Sequence, residues 1–179
     1  AGYVGLPLAQ VFAEAGRSVL LVDLDANRVE QLNRGESYIE DVPSDDLAPL
    51  VADGRIDATT DYDVLRDVGA IVIALPTPLS RQRDPDLSIL VGATEEIAKR
   101  LRKGQLVVLE STTYPGTTRE QLLPVLERGS GLRAGQDFHL AFSPERVDPG
   151  RTDWTTKNVP KIVGGIDDAS TVAAAALYA

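Results

Sequence analysis

Gly2 and Gly5 stand at the head of the segment Ala1-Gly-Tyr-Val-Gly-Leu-Pro7, just ahead of apolar residues at helical spacing. Glycine in such a turn lets backbone approach a ligand, and the helix N–H groups beyond it suit an anion such as a pyrophosphate. Read with one residue before Ala1, the pair are the second and third glycines of G-x-G-x-x-G, with Tyr3 and Val4 completing the turn. A bare G-x-x-G is equally an ordinary glycine-rich turn. Asp23 adds a second element, closing an apolar run 18 positions after Gly5. An acid about 20 residues beyond the glycines accepts hydrogen bonds from an adenosine ribose. Its charge repels a 2′-phosphate, so the expected cofactor is NAD rather than NADP. Arg28 follows closely; it could stack near adenine or lie solvated on a helix surface.

Two further groups fall at the ends of apolar runs. Pro76 and Thr77 follow Ala70–Leu75, and Glu110-Ser-Thr-Thr113 follows Leu106–Leu109. Ligands of open α/β sheets bind beyond such strand ends. Hydroxyls and amides at Thr77, Ser111 and Thr112 could therefore meet ribose and nicotinamide. Ser111 and Thr113 could equally cap the helix that follows. Glu145 comes after a third run and a proline, where a partly desolvated carboxylate can serve as a base. Arg146 beside it, and Lys161 further on, could each pair with a substrate diphosphate or with an acidic neighbour.

These residues need a scaffold of alternating strands and helices. Helices are expected over Leu6–Ala15, closed by Gly16, and Asn27–Asn33, closed by Gly35, with a short one capped by Ser44. Further helices are expected over Leu87–Arg102, with Ile89, Leu90, Ala93, Ile97 and Leu101 on its apolar side, then Thr117–Leu126 and Asp167–Tyr178. Short apolar runs predict strands at Ser18–Asp23, Ile56–Thr59, Ala70–Leu75, Leu106–Leu109, Phe138–Phe142 and Lys161–Val163. Thr77–Pro85 reads as a polar loop and Pro144–Pro160 as a long functional one. The alternation is that of a Rossmann-like α/β fold, a doubly wound parallel sheet. The strand leading into the first glycine is missing from it.

Bulk properties narrow the classes. The 179 residues suffice for one domain with a core. The net charge of −9 argues against nucleic-acid partners, which need a basic face. With no cysteine and one histidine, His139, neither a disulfide nor a thiolate or multi-histidine metal site is expected. No apolar run is long enough for a membrane span, and a soluble cytoplasmic protein is the expectation.

In order along the chain, Gly2-Tyr-Val-Gly-Leu-Pro7, Val22-Asp-Leu-Asp25, Leu32-Asn-Arg-Gly35, Leu75-Pro-Thr-Pro78, Glu110-Ser-Thr-Thr-Tyr-Pro-Gly-Thr117 and Ser143-Pro-Glu145 resemble the nucleotide-sugar dehydrogenases of the UDP-glucose/GDP-mannose dehydrogenase group. Arg81–Asp86, Ser143–Gly150 and Thr155–Gly165 resemble its UDP-N-acetylglucosamine 6-dehydrogenase branch.

The resemblance implies oxidation of C6 of a UDP-sugar to a carboxylate with two NAD, for polysaccharide biosynthesis. UDP-N-acetylmannosamine and UDP-glucose are alternative substrates. It implies cofactor contacts at Gly2, Gly5, Asp23 and Thr77, an active-site threonine at Thr112, and Glu145 as a base or water-orienting group. The family's cysteine nucleophile and catalytic lysine belong to a later domain. Residues 1–166 are thus expected to form the NAD-binding domain and 167–179 to begin a helix leading onward. The chain alone is expected to fold poorly and be inactive, whereas the full-length protein should be a homo-oligomer. A non-catalytic NAD-binding module is the contrasting reading.

Overall fold

The computed structural model describes residues 1–78, 85–146, 156 and 158–179. They fall into two units, Ala1–Asp61 with Arg146–Pro160, and Tyr62–Glu145 with Lys161–Ala179.

The first unit contains α1 (Gly5–Glu14), β1 (Val19–Val22), α2 (Ala26–Asn33), α3 (Ser44–Ala52) and β2 (Ile56–Thr59). β1 and β2 pair in parallel, Val19 opposite Ile56 through Val22 opposite Thr59. Leu6, Ala9 and Ala13 of α1 bury one helical face against Leu21, Ile56 and Ala58, with Leu32, Val42 and Leu47 completing the core. α1 ends as its sequence foretells. Gly16 takes a φ of +86°, while the Gly16 and Arg17 N–H groups donate to the Ala13 and Phe12 carbonyls at 3.0 and 2.9 Å, closing the helix as a Schellman turn. Gly35 is constrained twice. Its φ is +74°, and a β-carbon there would stand 2.8 Å from the Ala48 Cα of α3. Ser44 departs from expectation: Pro43 is the cap residue and Ser44 begins the helix. The Ser44 hydroxyl instead accepts the Ser37 N–H at 2.9 Å.

The second unit begins with a 3₁₀ turn at Tyr62–Asp67 and continues through β3 (Ala70–Ile73), α4 (Ser88–Ala98), β4 (Leu106–Leu109), a π-helical turn at Thr118–Leu122, α5 (Leu123–Ser130), β5 (His139–Phe142), β6 (Gly164–Gly165) and α6 (Asp168–Tyr178). Its sheet runs β3-β4-β5-β6. The first three strands are parallel, and β4 is buried at all four positions. Side chains alternate between faces. Leu106 and Val108 meet Ala174 of α6, which leaves Val107 and Leu109 for the opposite face. α4 and α5 pack on each other, and α6 lies against β4, β5 and β6.

Four elements differ from the sequence expectation by more than one residue at an end. β3 stops at Ile73 because the Ile73 carbonyl receives both the Glu110 and Ser111 N–H groups, while the Leu75 N–H turns to the Ser111 hydroxyl. α4 ends at Ala98, and Ile89 is exposed rather than on the inner face, which Leu90, Thr94, Ile97 and Ala98 form. The helix expected at Thr117–Leu126 is a π turn passing into α5, where Pro124 has no N–H to return to Glu120. The last strand is not Lys161–Val163 but Gly164–Gly165, and it runs antiparallel to β5. Much of the two expected loops lies outside the described residues, at 79–84, 147–155 and 157. So does most of the Arg81–Asp86 motif, together with the ends of the Ser143–Gly150 and Thr155–Gly165 motifs.

Candidate functional site

In the first unit, α1 begins with Val4 as its cap residue, no side-chain cap, and no acidic residue in its first turn. The Leu6 N–H donates to the Gly2 carbonyl at 3.0 Å and the Leu8 N–H to the Val4 carbonyl at 3.3 Å. The earlier N–H groups of a helix have no intrahelical acceptor and carry the positive end of its dipole. A β-carbon on Gly2 would meet nothing within 4 Å. The protein's own packing therefore does not demand glycine there, whereas a close ligand would. Tyr3 is exposed and Val4 half-buried.

Asp23 follows β1 directly. Its Oδ1 accepts the Asp25 N–H at 2.9 Å, and its Oδ2 accepts the Ala1 ammonium at 2.9 Å. Burial acts to raise the Asp23 pKa, but those hydrogen bonds and the charges of Ala1 and Arg28 outweigh it and hold the carboxyl below its ordinary value. Arg28 sits half-exposed, 3.8 Å from Asp23 and 3.7 Å from Asp25. Its guanidinium also lies 5.5 Å from the centre of the Tyr38 ring, whose hydroxyl donates to the Ala1 carbonyl at 2.6 Å. Tyr38 thus joins this cluster, though nothing in its sequence surroundings singled it out. An ionised strand-end acid beside an uncapped helix start is the donor and acceptor set that an adenosine ribose and a pyrophosphate require. The residues present fit NAD.

In the second unit the expected residues gather at the C-terminal ends of β3, β4 and β5. Pro76 and Thr77 follow β3, Ser111 and Thr112 follow β4, and Glu145 follows β5. The Thr77 hydroxyl donates to the Thr112 carbonyl at 2.6 Å, joining two of these loops. Pro76 and Thr112 are exposed. Ser111 is buried, and its hydroxyl stitches strand ends together, accepting the Leu75 N–H at 2.9 Å and donating to the Ile73 carbonyl at 3.3 Å. Arg146, an exposed residue of the first unit, donates to the Pro160 carbonyl at 3.0 Å.

Glu110 is the residue that sequence reasoning passed over. Its side chain is wholly buried, and both of its carboxylate oxygens accept from the Lys161 ammonium at 2.9 Å. The Tyr178 hydroxyl of α6 donates to Oε1 at 2.6 Å. Lys161 also lies 3.8 Å from Glu145 Oε2, with the Glu145 side chain 9% exposed, and 5.2 Å from the Tyr178 ring centre. Burial raises the Glu110 pKa above its ordinary 4.5, against the opposing pull of Tyr178 and Lys161. Burial and the Glu110 charge push the Tyr178 phenol well up. The available signal was a charged residue directly after a fully apolar strand, which must find a partner if buried.

The sequence model of the UDP-glucose/GDP-mannose dehydrogenase family, NAD binding domain, matches residues 1–179. The chain belongs to this family. As the UDP-glucose/GDP-mannose dehydrogenase NAD-binding domain, it has NAD as its cofactor. It is 38% identical, over 92% of its length, to the UDP-N-acetyl-D-glucosamine 6-dehydrogenase of Pseudomonas aeruginosa, covering 38% of that protein. It is 36% identical, over 99% of its length, to the UDP-N-acetyl-D-mannosamine dehydrogenase of Pyrococcus horikoshii, covering 42% of it. Among solved structures, the NDP-N-acetyl-D-galactosaminuronic acid dehydrogenase of Methanosarcina mazei Go1 superposes with a TM-score of 0.91 at 40% identity. That superposition covers 99% of this chain and 40% of the other. The chain thus spans about two fifths of the length of these relatives. The likeness establishes the Rossmann-like fold of the family's NAD-binding domain.

Proposed function

We propose that this domain serves a nucleotide-sugar 6-dehydrogenase that oxidises C6 of a UDP-sugar to a uronic acid, with UDP-N-acetylglucosamine as substrate. The observation that carries the NAD assignment to particular residues is Asp23 beside the uncapped start of α1. There the Asp23 carboxylate takes the ribose hydroxyls, and the turn Gly2-Tyr-Val-Gly5 with the first N–H groups of α1 takes the pyrophosphate. Arg28 flanks the adenosine end, and Pro76, Thr77 and Thr112 line the approach of ribose and nicotinamide, with Ser111 holding the end of β3 behind them. NAD bound in this way supplies the hydride acceptor.

Glu145 is the proton acceptor, or the group that orients water. It is a carboxylate in a nearly dry setting, with the Lys161 ammonium 3.8 Å away. Thr112 lies beside the reacting group, and Arg146 supports the substrate diphosphate. Residues 1–166 form the cofactor domain, and 167–179, which hold α6, lead out of it. The protein acts in the cytoplasm as a homo-oligomer.

Glu145→Gln tests the assignment in the polypeptide at its full natural length. Turnover should fall on the order of 100-fold or more while NAD affinity is unchanged; turnover at the original rate would remove Glu145 from the chemistry. UDP-N-acetylmannosamine is the second reading, supported by the Pyrococcus relative. Initial rates on the two sugars at matched concentrations decide between them. An absence of NAD reduction with every UDP-sugar would leave a module that only binds NAD.

A further inference from the structure

Lys161 occupies an uncommon position for a lysine. Its side chain is 13% exposed, and its ammonium faces two carboxylates that come from different strand ends. Glu110 grips it with both oxygens at 2.9 Å, and Glu145 lies 3.8 Å away. The arrangement is rigid on the Glu110 side. That side chain is fully buried, it follows the completely buried β4, and the Tyr178 hydroxyl fixes one of its oxygens from α6. The Tyr178 ring also lies against the Lys161 ammonium. A charge held this firmly defines a fixed field at the neighbouring carboxylate. A simple structural ion pair would need only Glu110. The second carboxylate within reach is the one to which the proposed chemistry belongs.

We propose that Lys161 is a positioning residue for Glu145, anchored by Glu110 and Tyr178 so that its ammonium holds the Glu145 carboxylate in place beyond the end of β5. The inference rests on the reading of Glu145 as the proton acceptor. The groups facing Glu145 in this cluster are Lys161 from the segment before β6, Glu110 from the end of β4 and Tyr178 from α6. Removing the Lys161 cation leaves the Glu110 and Glu145 carboxylates without the positive charge that lies between them, and proton uptake is then favoured.

The test compares Lys161→Met, Lys161→Arg and the double variant Glu110→Gln/Lys161→Met in the polypeptide at its full natural length. The readouts are the pH profile of kcat and the NAD affinity. In Lys161→Met, the acidic limb of the profile should move to higher pH by roughly one unit or more. Turnover at neutral pH should fall on the order of 10- to 100-fold, with NAD affinity within about twofold of the original. Arginine should restore the limb to its original pH, since it keeps the cation. The double variant removes the carboxylate that a lone Lys161→Met would strand in the interior; it loses the cation without leaving a facing carboxylate, so its limb should move in the same direction but by less, even if the single variant fails to fold. A limb that stays in place in the folded variants, with turnover lowered equally at every pH, overturns the positioning role. Glu145→Gln separates the two claims. If it abolishes turnover while the Lys161 variants leave the limb unmoved, only the present inference falls. If Glu145→Gln turns over normally, the reading of Glu145 falls and this inference falls with it.

Discussion

At the scale of single residues, charge decides what each group can do. Asp23 is ionised below its ordinary range and close to the start of α1. Asp23→Asn should remove a charge-assisted contact to the ribose worth about 1.5–3 kcal/mol, roughly a ten- to hundredfold loss in NAD affinity. It should also narrow the preference for NAD over NADP; calorimetry with both cofactors measures each. Glu110 behaves in the opposite sense. Burial raises its pKa above 4.5, so the folded state holds its proton more tightly than the unfolded state does. Its contribution to stability is therefore complete below that value and is lost as pH rises through the folded pKa. Glu110→Gln has no such dependence. Denaturation midpoints of Glu110→Gln and the original should therefore shift in favour of the variant as pH rises through this window, and a pH-independent difference would contradict the assignment. Asp23 could be proposed from the sequence because the reading rests on spacing along the chain. Glu110 could not be, because a carboxylate after an apolar strand looks the same in sequence whether solvent or Lys161 meets it.

At the scale of elements, local signals were reliable where the backbone itself carries them. Gly16 and Gly35 close α1 and α2 where their positions after the apolar repeat required, since a left-handed residue there costs glycine little. Gly35→Ala should destabilise the chain by about 1–3 kcal/mol, because the new methyl would need both a strained φ and room now held by the Ala48 backbone. Urea denaturation measures it, and a neutral result would mean that the α2–α3 approach relaxes easily. Side-chain caps were less legible. Ser44 had the right type and place for a cap, but its hydroxyl was claimed by the Ser37 N–H. Ser111 was likewise drawn to Leu75, the amide left where β3 stops pairing. β6 escaped notice because two glycines have no side-chain pattern to read.

For the molecule as a whole, family and cofactor lead to one thermodynamic expectation. NAD binds the folded chain, so at a hundred times its Kd it should raise unfolding free energy by about 2.7 kcal/mol. Thermal melts with and without NAD check this, and Asp23→Asn should need correspondingly more cofactor for the same shift. The amino-acid order by itself determined the alternation of strands and helices and the kinship, and it singled out the glycine turn and Asp23 as candidates for the cofactor. All of these are written in spacing within short stretches or in runs of apolar residues. Only the tertiary structure decided that β6 turns antiparallel, that the Ser111 hydroxyl serves the end of β3, and that Lys161 reaches back 51 positions to Glu110 while lying beside Glu145. The physical reason is desolvation. The cost of a buried charge, and so the partner it must have, is set by the groups that close around it rather than by its neighbours along the chain.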